Sequence, residues 1–172
     1  HTQLLDNHLA ASDYRLEAPA SVMTLQLSEI APRQLTPGRS SLQEQNLQNW
    51  LGSWLRVKQL QAEMLPIHQA MLAKISDPSR YLAHTSTHGN PLATGMAVYA
   101  NGGLGIFGIA THQLVRRRGL GAGILADLLH WGCTQGARYA YLQVESDNHA
   151  AVNLYRKHGF TELYSYWYRV KH

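Results

Sequence analysis

The apolar positions of this chain recur with two periods, and the change from one to the other marks out its elements. Leu4, Leu5 and Leu9 read as a short helix, which Ala18-Pro19 separates from an alternating strand, Val22 to Leu27. Ile30 to Ser41 holds Pro32, Pro37 and Gly38 and reads as a loop; Ser40 or Ser41 is placed to cap the helix that follows, with Glu44 closing a capping box from Ser41. Leu47, Trp50, Leu51, Trp54 and Leu55 recur at three and four residues and predict an amphipathic helix. Leu60, Met64, Ile67, Met71 and Ile75 predict another, kinked or divided at Pro66. Past Asp77-Pro78 the pattern turns to strands: Tyr81 to Thr87, a turn at His88 to Pro91, Leu92 to Ala100, a turn at Asn101-Gly102-Gly103, then Leu104 to Thr111. These make an antiparallel meander. Leu120, Ile124, Leu125, Leu128 and Leu129 form a helical stripe, Tyr139 to Val144 a strand, His149 onwards a helix, and Tyr164 to Arg169 a last strand.

Composition narrows the class. With 172 residues, 45% of them hydrophobic, the chain can bury a proper core, and a single domain over 1–172 is expected. No apolar run reaches 18 residues, and no leader with a charged start and apolar middle is seen. Cys133 is the only cysteine, so no disulfide forms within the chain, which suits a cytoplasmic location. It reads as a small core residue rather than a nucleophile. The ten histidines are scattered and no Cys-x-x-Cys occurs, so no metal is expected. A net charge of +4, much of it in Arg116, Arg117, Arg118 and the C-terminal tail, favours an anionic small ligand over a nucleic-acid surface.

The stretch that draws the rest together is Val115 to Gly123, a basic, glycine-rich turn between a strand and a helix. Backbone N–H groups at a helix N-terminus lack intrahelical partners and carry partial positive charge. Glycines let them approach a ligand, and arginines add full charges, so the segment suits a pyrophosphate. The alternative reading is a solvated basic turn on a core helix. A dinucleotide fingerprint would need a third glycine where Ile124 stands, and a P-loop would need Gly-Lys-Ser/Thr; neither is present.

Arg116-x-x-Gly119-x-Gly121 resembles the acyl-coenzyme A loop of the GNAT (GCN5-related) N-acetyltransferases. Downstream, Asn148, Ala151, Leu154, Tyr155, Gly159 and Phe160 match that family's second signature, Asn-x-x-Ala-x-x-Leu-Tyr-x-x-x-Gly-Phe. The resemblance runs from about Tyr81 to the C-terminus. It implies an α/β (α+β) GNAT fold, a mixed, mostly antiparallel sheet splayed at its centre and flanked by helices. It divides the chain into an N-terminal extension (1–38), a helical region near an acceptor groove (39–80), where Trp50, Trp54 and Met64 are either pocket or core, and an acetyl-coenzyme A core (81–172).

The resemblance also implies roles. Arg116, Arg117, Arg118, Gly119, Leu120, Gly121 and Ala122 would hold the pyrophosphate, with Gly123 keeping the next turn flat. Ile109, Ala110 and Thr111 would meet the pantetheine arm, and the Thr111 N–H would steady the oxyanion. Asn148 would bond the arm or a water, or cap its helix. Tyr155 would be the general acid at the sulfur. The base is open. Gln143 stands where the ribosomal-protein acetyltransferases have a glutamate, and Glu145, two residues on along the same strand face, or His112 is the substitute. The implied reaction is direct acetyl transfer from acetyl-coenzyme A to a primary amine of a small molecule or a peptide N-terminus. The rivals are an acyl-coenzyme A sensor without turnover and a nucleic-acid binder using the arginines. The aromatic end, Tyr164 to Tyr168, is either an edge for a homodimer or core.

Overall fold

In the computed structural model, which describes residues 2–29 and 42–171, five α-helices and seven strands follow one another as α1 (Thr2–Ala11), β1 (Arg15–Gln26), β2 (Leu42–Glu44), α2 (Leu47–Lys58), α3 (Leu65–Leu72), β3 (Ser79–Thr85), β4 (Pro91–Ala100), β5 (Gly103–Thr111), α4 (Leu120–Thr134), β6 (Tyr139–Glu145), α5 (His149–Lys157) and β7 (Thr161–Val170). The hydrogen-bonded order is β2-β3-β4-β5-β6-β1-β7. The chain divides into two compact units, Gln26–Tyr141 and the pair of segments His1–Leu25 and Leu142–His172, with β6 running from one into the other.

The larger unit is built on β4. Successive strand residues point to opposite faces, and Ala93, Thr94, Met96 and Ala97 are all buried, so both faces of β4 are covered. Met96 packs with Trp50 and Leu51 of α2, while Ile124 and Leu128 of α4 press on Gly95 from the other side. Trp50 also donates its indole N–H to the Gly95 carbonyl at 3.0 Å. Strands β2 to β5 pair antiparallel in sequence order, and Asn101-Gly102, both at positive φ, make the two-residue turn between β4 and β5. β5 and β6 run parallel for only three pairs, Gly103↔Tyr139 to Gly105↔Tyr141, and no further pair of that ladder follows among the described residues. The Tyr139 and Tyr141 rings occupy the space that side chains at Gly103 and Gly105 would fill.

In the smaller unit β1 lies between β6 and β7 and pairs antiparallel with β7 from Arg15↔Val170 to Thr24↔Thr161. Asp6 of α1 is gripped by β7: Arg169 Nε donates to Oδ1 and Nη2 to Oδ2, both at 2.8 Å, and Trp167 Nε1 donates to Oδ1 at 2.7 Å. These bonds hold the Asp6 carboxyl down at about 2.

Several sequence expectations are corrected. Ala18-Pro19 does not end a segment before the strand; β1 already runs from Arg15 and carries the proline in a bulge, with Ala18 at φ 46° and a register shift between Glu17 and Ala20. The bulge is what lets a residue without an N–H sit in an inner strand, and the Pro19 carbonyl still accepts from Ser146 N–H at 2.9 Å. At Pro66 the stretch is divided, one of the two outcomes expected, and no long kinked helix forms. The proline falls in the first turn of α3, where its missing N–H costs nothing, behind a 3-10 turn at Ala62–Met64. The cap of α2 is Asn46, whose side chain accepts from Asn49 N–H at 2.9 Å. Glu44 lies in β2 instead of a helical first turn, while Ser40, Ser41 and the loop from Ile30 fall outside the described residues. Trp50 is core, 2% exposed, whereas Met64 is exposed.

Candidate functional site

In the larger unit the end of β5, the turn after it and the mouth of α4 form one continuous feature. Gly108 and Ile109 together oppose Gly95, a bulge between the pairs Thr94↔Ala110 and Met96↔Phe107. Gly108 sits at φ 60°, and a Cβ there would stand 2.8 Å from the Trp50 ring, so only glycine fits. Beyond the bulge His112 N–H donates to the Leu92 carbonyl at 2.8 Å. Backbone groups alternate between edges in an antiparallel ladder. Those of Ala110 therefore face β4, and those of Thr111 face away from it. The outward Thr111 carbonyl accepts from Arg116 Nε at 3.4 Å, which closes the turn. His112 caps a 3-10 turn, its Nδ1 accepting from Leu114 N–H at 3.4 Å, so one ring nitrogen is committed.

The helix mouth is open. Gly119 is the N-cap at φ 80°, without a side-chain cap bond and with nothing within 4 Å of where a Cβ would be. Gly123 N–H is the first to turn back, to the Gly119 carbonyl at 2.9 Å, which leaves the N–H groups of Leu120, Gly121 and Ala122 without an intrahelical acceptor. Arg116, Arg117 and Arg118 are exposed, and no carboxylate pairs with them among the described residues. Four residues of α4 anchor this mouth: Ile124, Leu125, Leu128 and Leu129, each 0% exposed. Free amides, a left-handed glycine and exposed guanidinium groups are donors of the kind that phosphate oxygens accept from.

In the smaller unit Asn148 is the N-cap of α5, with Oδ1 accepting from Ala151 N–H at 3.2 Å. Its Nδ2 has no partner among the described residues. Tyr155 is buried against Phe160, ring centroids 5.9 Å apart, and burial pushes its phenol up to about 12. Gly159, at φ 89°, ends the helix and lets the chain turn so that Phe160 meets Tyr155. Gln143 and Glu145 share the exposed face of β6, opposite Leu142 and Val144.

One pairing was not foreseen. Tyr166 O–H donates to Gln143 Oε1 at 3.2 Å, across the intervening strand, where its ladder partner is the small Ala20. No local spacing signals this contact, because it depends on β1 lying between β6 and β7. Elsewhere, burial raises the Cys133 thiol, which keeps it protonated. His84 and His88 are four residues apart, but they fall on a strand and on the turn after it instead of on one helix face, and burial lowers the His84 imidazole against the pull of Asp127.

Known proteins resemble this chain in sequence and in fold. The sequence profile of the Acetyltransferase (GNAT) family matches residues 42–160. The uncharacterized N-acetyltransferase YobR of Bacillus subtilis is 34% identical over 79 residues, 46% of this chain and 32% of that protein. A probable N-acetyltransferase HLS1-like of Arabidopsis thaliana is 38% identical over 59 residues, 34% of this chain and 14% of that one. The chain thus spans about a third or less of the curated relatives it matches. Among solved structures, a GCN5-related N-acetyltransferase from Sphaerobacter thermophilus superposes with a TM-score of 0.75 at 17% identity, over 97% of this chain and 55% of that one. With the profile covering more than half of its length, and with the fold shared, the chain belongs to the GNAT acetyltransferase family.

Proposed function

We propose that the chain transfers an acetyl group from acetyl-coenzyme A directly to a primary amine, of a small molecule or a peptide N-terminus. Bound, the co-substrate supplies an activated thioester and a diphosphate by which it is held. The observation that carries this reading is the open mouth of α4: amides of Leu120, Gly121 and Ala122 without helical acceptors, behind a left-handed Gly119 and beside exposed, unpaired arginines. Arg116 to Arg118 would draw in the anion, and the amides would fix it.

Along β5, the Thr111 N–H faces away from β4 and would donate to a carbonyl oxygen as charge develops there. Ile109 would give a second outward backbone contact to the carrier arm, with the Ala110 side supporting it. Asn148 would turn its Nδ2–H towards that arm while Oδ1 keeps capping α5. Tyr155 would give its proton to the departing sulfur. A buried phenol held near 12 keeps that proton at neutral pH and so has it to give as the carbon–sulfur bond breaks. Glu145 would take the proton of the attacking amine, directly or through water. The helical region 39–80 would border the acceptor.

Free-thiol release from acetyl-coenzyme A, measured with small amines, amino acids and peptides with free N-termini, tests the reading. Release with at least one class, with the acetylated product found by mass, is expected. The presence of Gln143 in place of a carboxylate favours a second reading, a domain that binds acyl-coenzyme A without turnover. Calorimetric binding of coenzyme A with no thiol release from any class would decide for it.

A further inference from the structure

A second concave surface lies in the larger unit, away from the feature just described. It has a volume of about 450 Å³ and lies between one flank of α2, strand β2 and the β3–β4 connection. None of its lining residues belongs to the 109–122 segment. In the strand order β2 stands three places from β5, about 14 Å at the usual strand spacing.

Its chemistry is unusual for a surface hollow. Four carboxamides line it, Gln43, Gln45, Gln48 and Asn49, and so does the hydroxyl run at 85–87. Among the described residues no carboxylate and no aromatic ring lines it, the one charge is Arg56, and Arg56 has no acidic partner. Ser53 lines it while only 2% exposed. Gln45 Oε1 is shut off from solvent with no donor among the described residues.

We infer that this surface binds a polyhydroxylated anion, a sugar phosphate or a sugar acid. Carboxamides and hydroxyls offer donors and acceptors side by side, as vicinal hydroxyls require. The lone guanidinium selects a phosphate or carboxylate on the same molecule. The absence of carboxylates disfavours a cation, and the absence of rings disfavours a neutral sugar held by stacking.

Calorimetric titration of the purified chain with glucose 6-phosphate, gluconate, glucose and inorganic phosphate tests the inference and separates the two kinds of anion. At least one of the charged sugars is expected to bind tenfold or more tightly than either glucose or phosphate. Arg56→Gln should reduce that affinity to the level of glucose. At Gly52, which lines the hollow, an added Cβ would meet nothing within 4 Å. Gly52→Met therefore fills the hollow with a good helix former and should abolish binding at an unchanged or higher Tm. Failure of both charged sugars to bind, equal binding of glucose, or unchanged affinity in both variants would overturn the inference.

Discussion

In the larger unit the groups proposed to hold a ligand are backbone amides at the mouth of α4, whereas in the smaller unit one side chain, the Tyr155 phenol, is proposed to carry the chemistry. The first depends on where the helix begins and at what φ, and its nearby side chains are exposed and loosely held. The second depends on burial, which fixes the ring against Phe160 and keeps the proton on the oxygen. The supports differ in the same way. Four fully buried residues hold α4, while α1 is tied to β7 through one carboxylate, Asp6. Backbone chemistry therefore stands on an apolar foundation, and the smaller unit relies in part on a polar tie that acid can undo.

That contrast can be broken from either side. The largest effect should follow removal of the foundation. Leu125→Ala leaves a cavity beneath the helix mouth and should cost about 2–5 kcal/mol of stability in chemical denaturation. A smaller, local effect is expected at the cap. Gly119→Val forces a β-branched residue into the left-handed region at a cost of about 1–2 kcal/mol, with no clash, since nothing lies within 4 Å of the new Cβ. Coenzyme A affinity should fall about tenfold by calorimetry, and Gly119→Asn, which tolerates that φ, should keep most of it. If valine binds as well as glycine, the backbone geometry is not what holds the carrier.

The least effect at neutral pH concerns the tie. Asp6 is held down at about 2 in the folded state, from 3.8 for a free carboxyl, by hydrogen bonds from Arg169 and Trp167. A lowered carboxyl contributes stability that is fully present above about pH 4 and is lost as pH falls towards 2. Acid titration followed by near-ultraviolet circular dichroism should show a transition in that window which Asp6→Asn removes. An identical acid limb in the variant would show that the tie contributes nothing.

Much of this was legible in the sequence, for identifiable reasons. The meander, the stripe of α4 and the two signatures are local patterns, and each lies where the spacing put it. The Asn101-Gly102 turn could be read because few residue pairs accept two positive φ values. What could not be read depended on partners distant in the chain. Pro19 looks like a breaker until the bulge opposite β7 accommodates it. Pro66 leaves a kink and a division both open until the helix is seen to start just before it. Trp50 has the spacing of either pocket or core, and only its bond to the Gly95 carbonyl and its contact with Met96 decide for core. The Tyr166–Gln143 bond needs β1 between β6 and β7 and an alanine at position 20.

The central claim is that a neutral, buried phenol protonates the sulfur of a carrier whose diphosphate is held elsewhere. The most direct measurement is steady-state kinetics of Tyr155→Phe together with its coenzyme A affinity. The ring and its packing are kept and only the hydroxyl is lost, so coenzyme A should bind within about twofold of the parent while kcat falls by about 10²–10⁴. A kcat within a few-fold of the parent, with binding intact, would contradict the account.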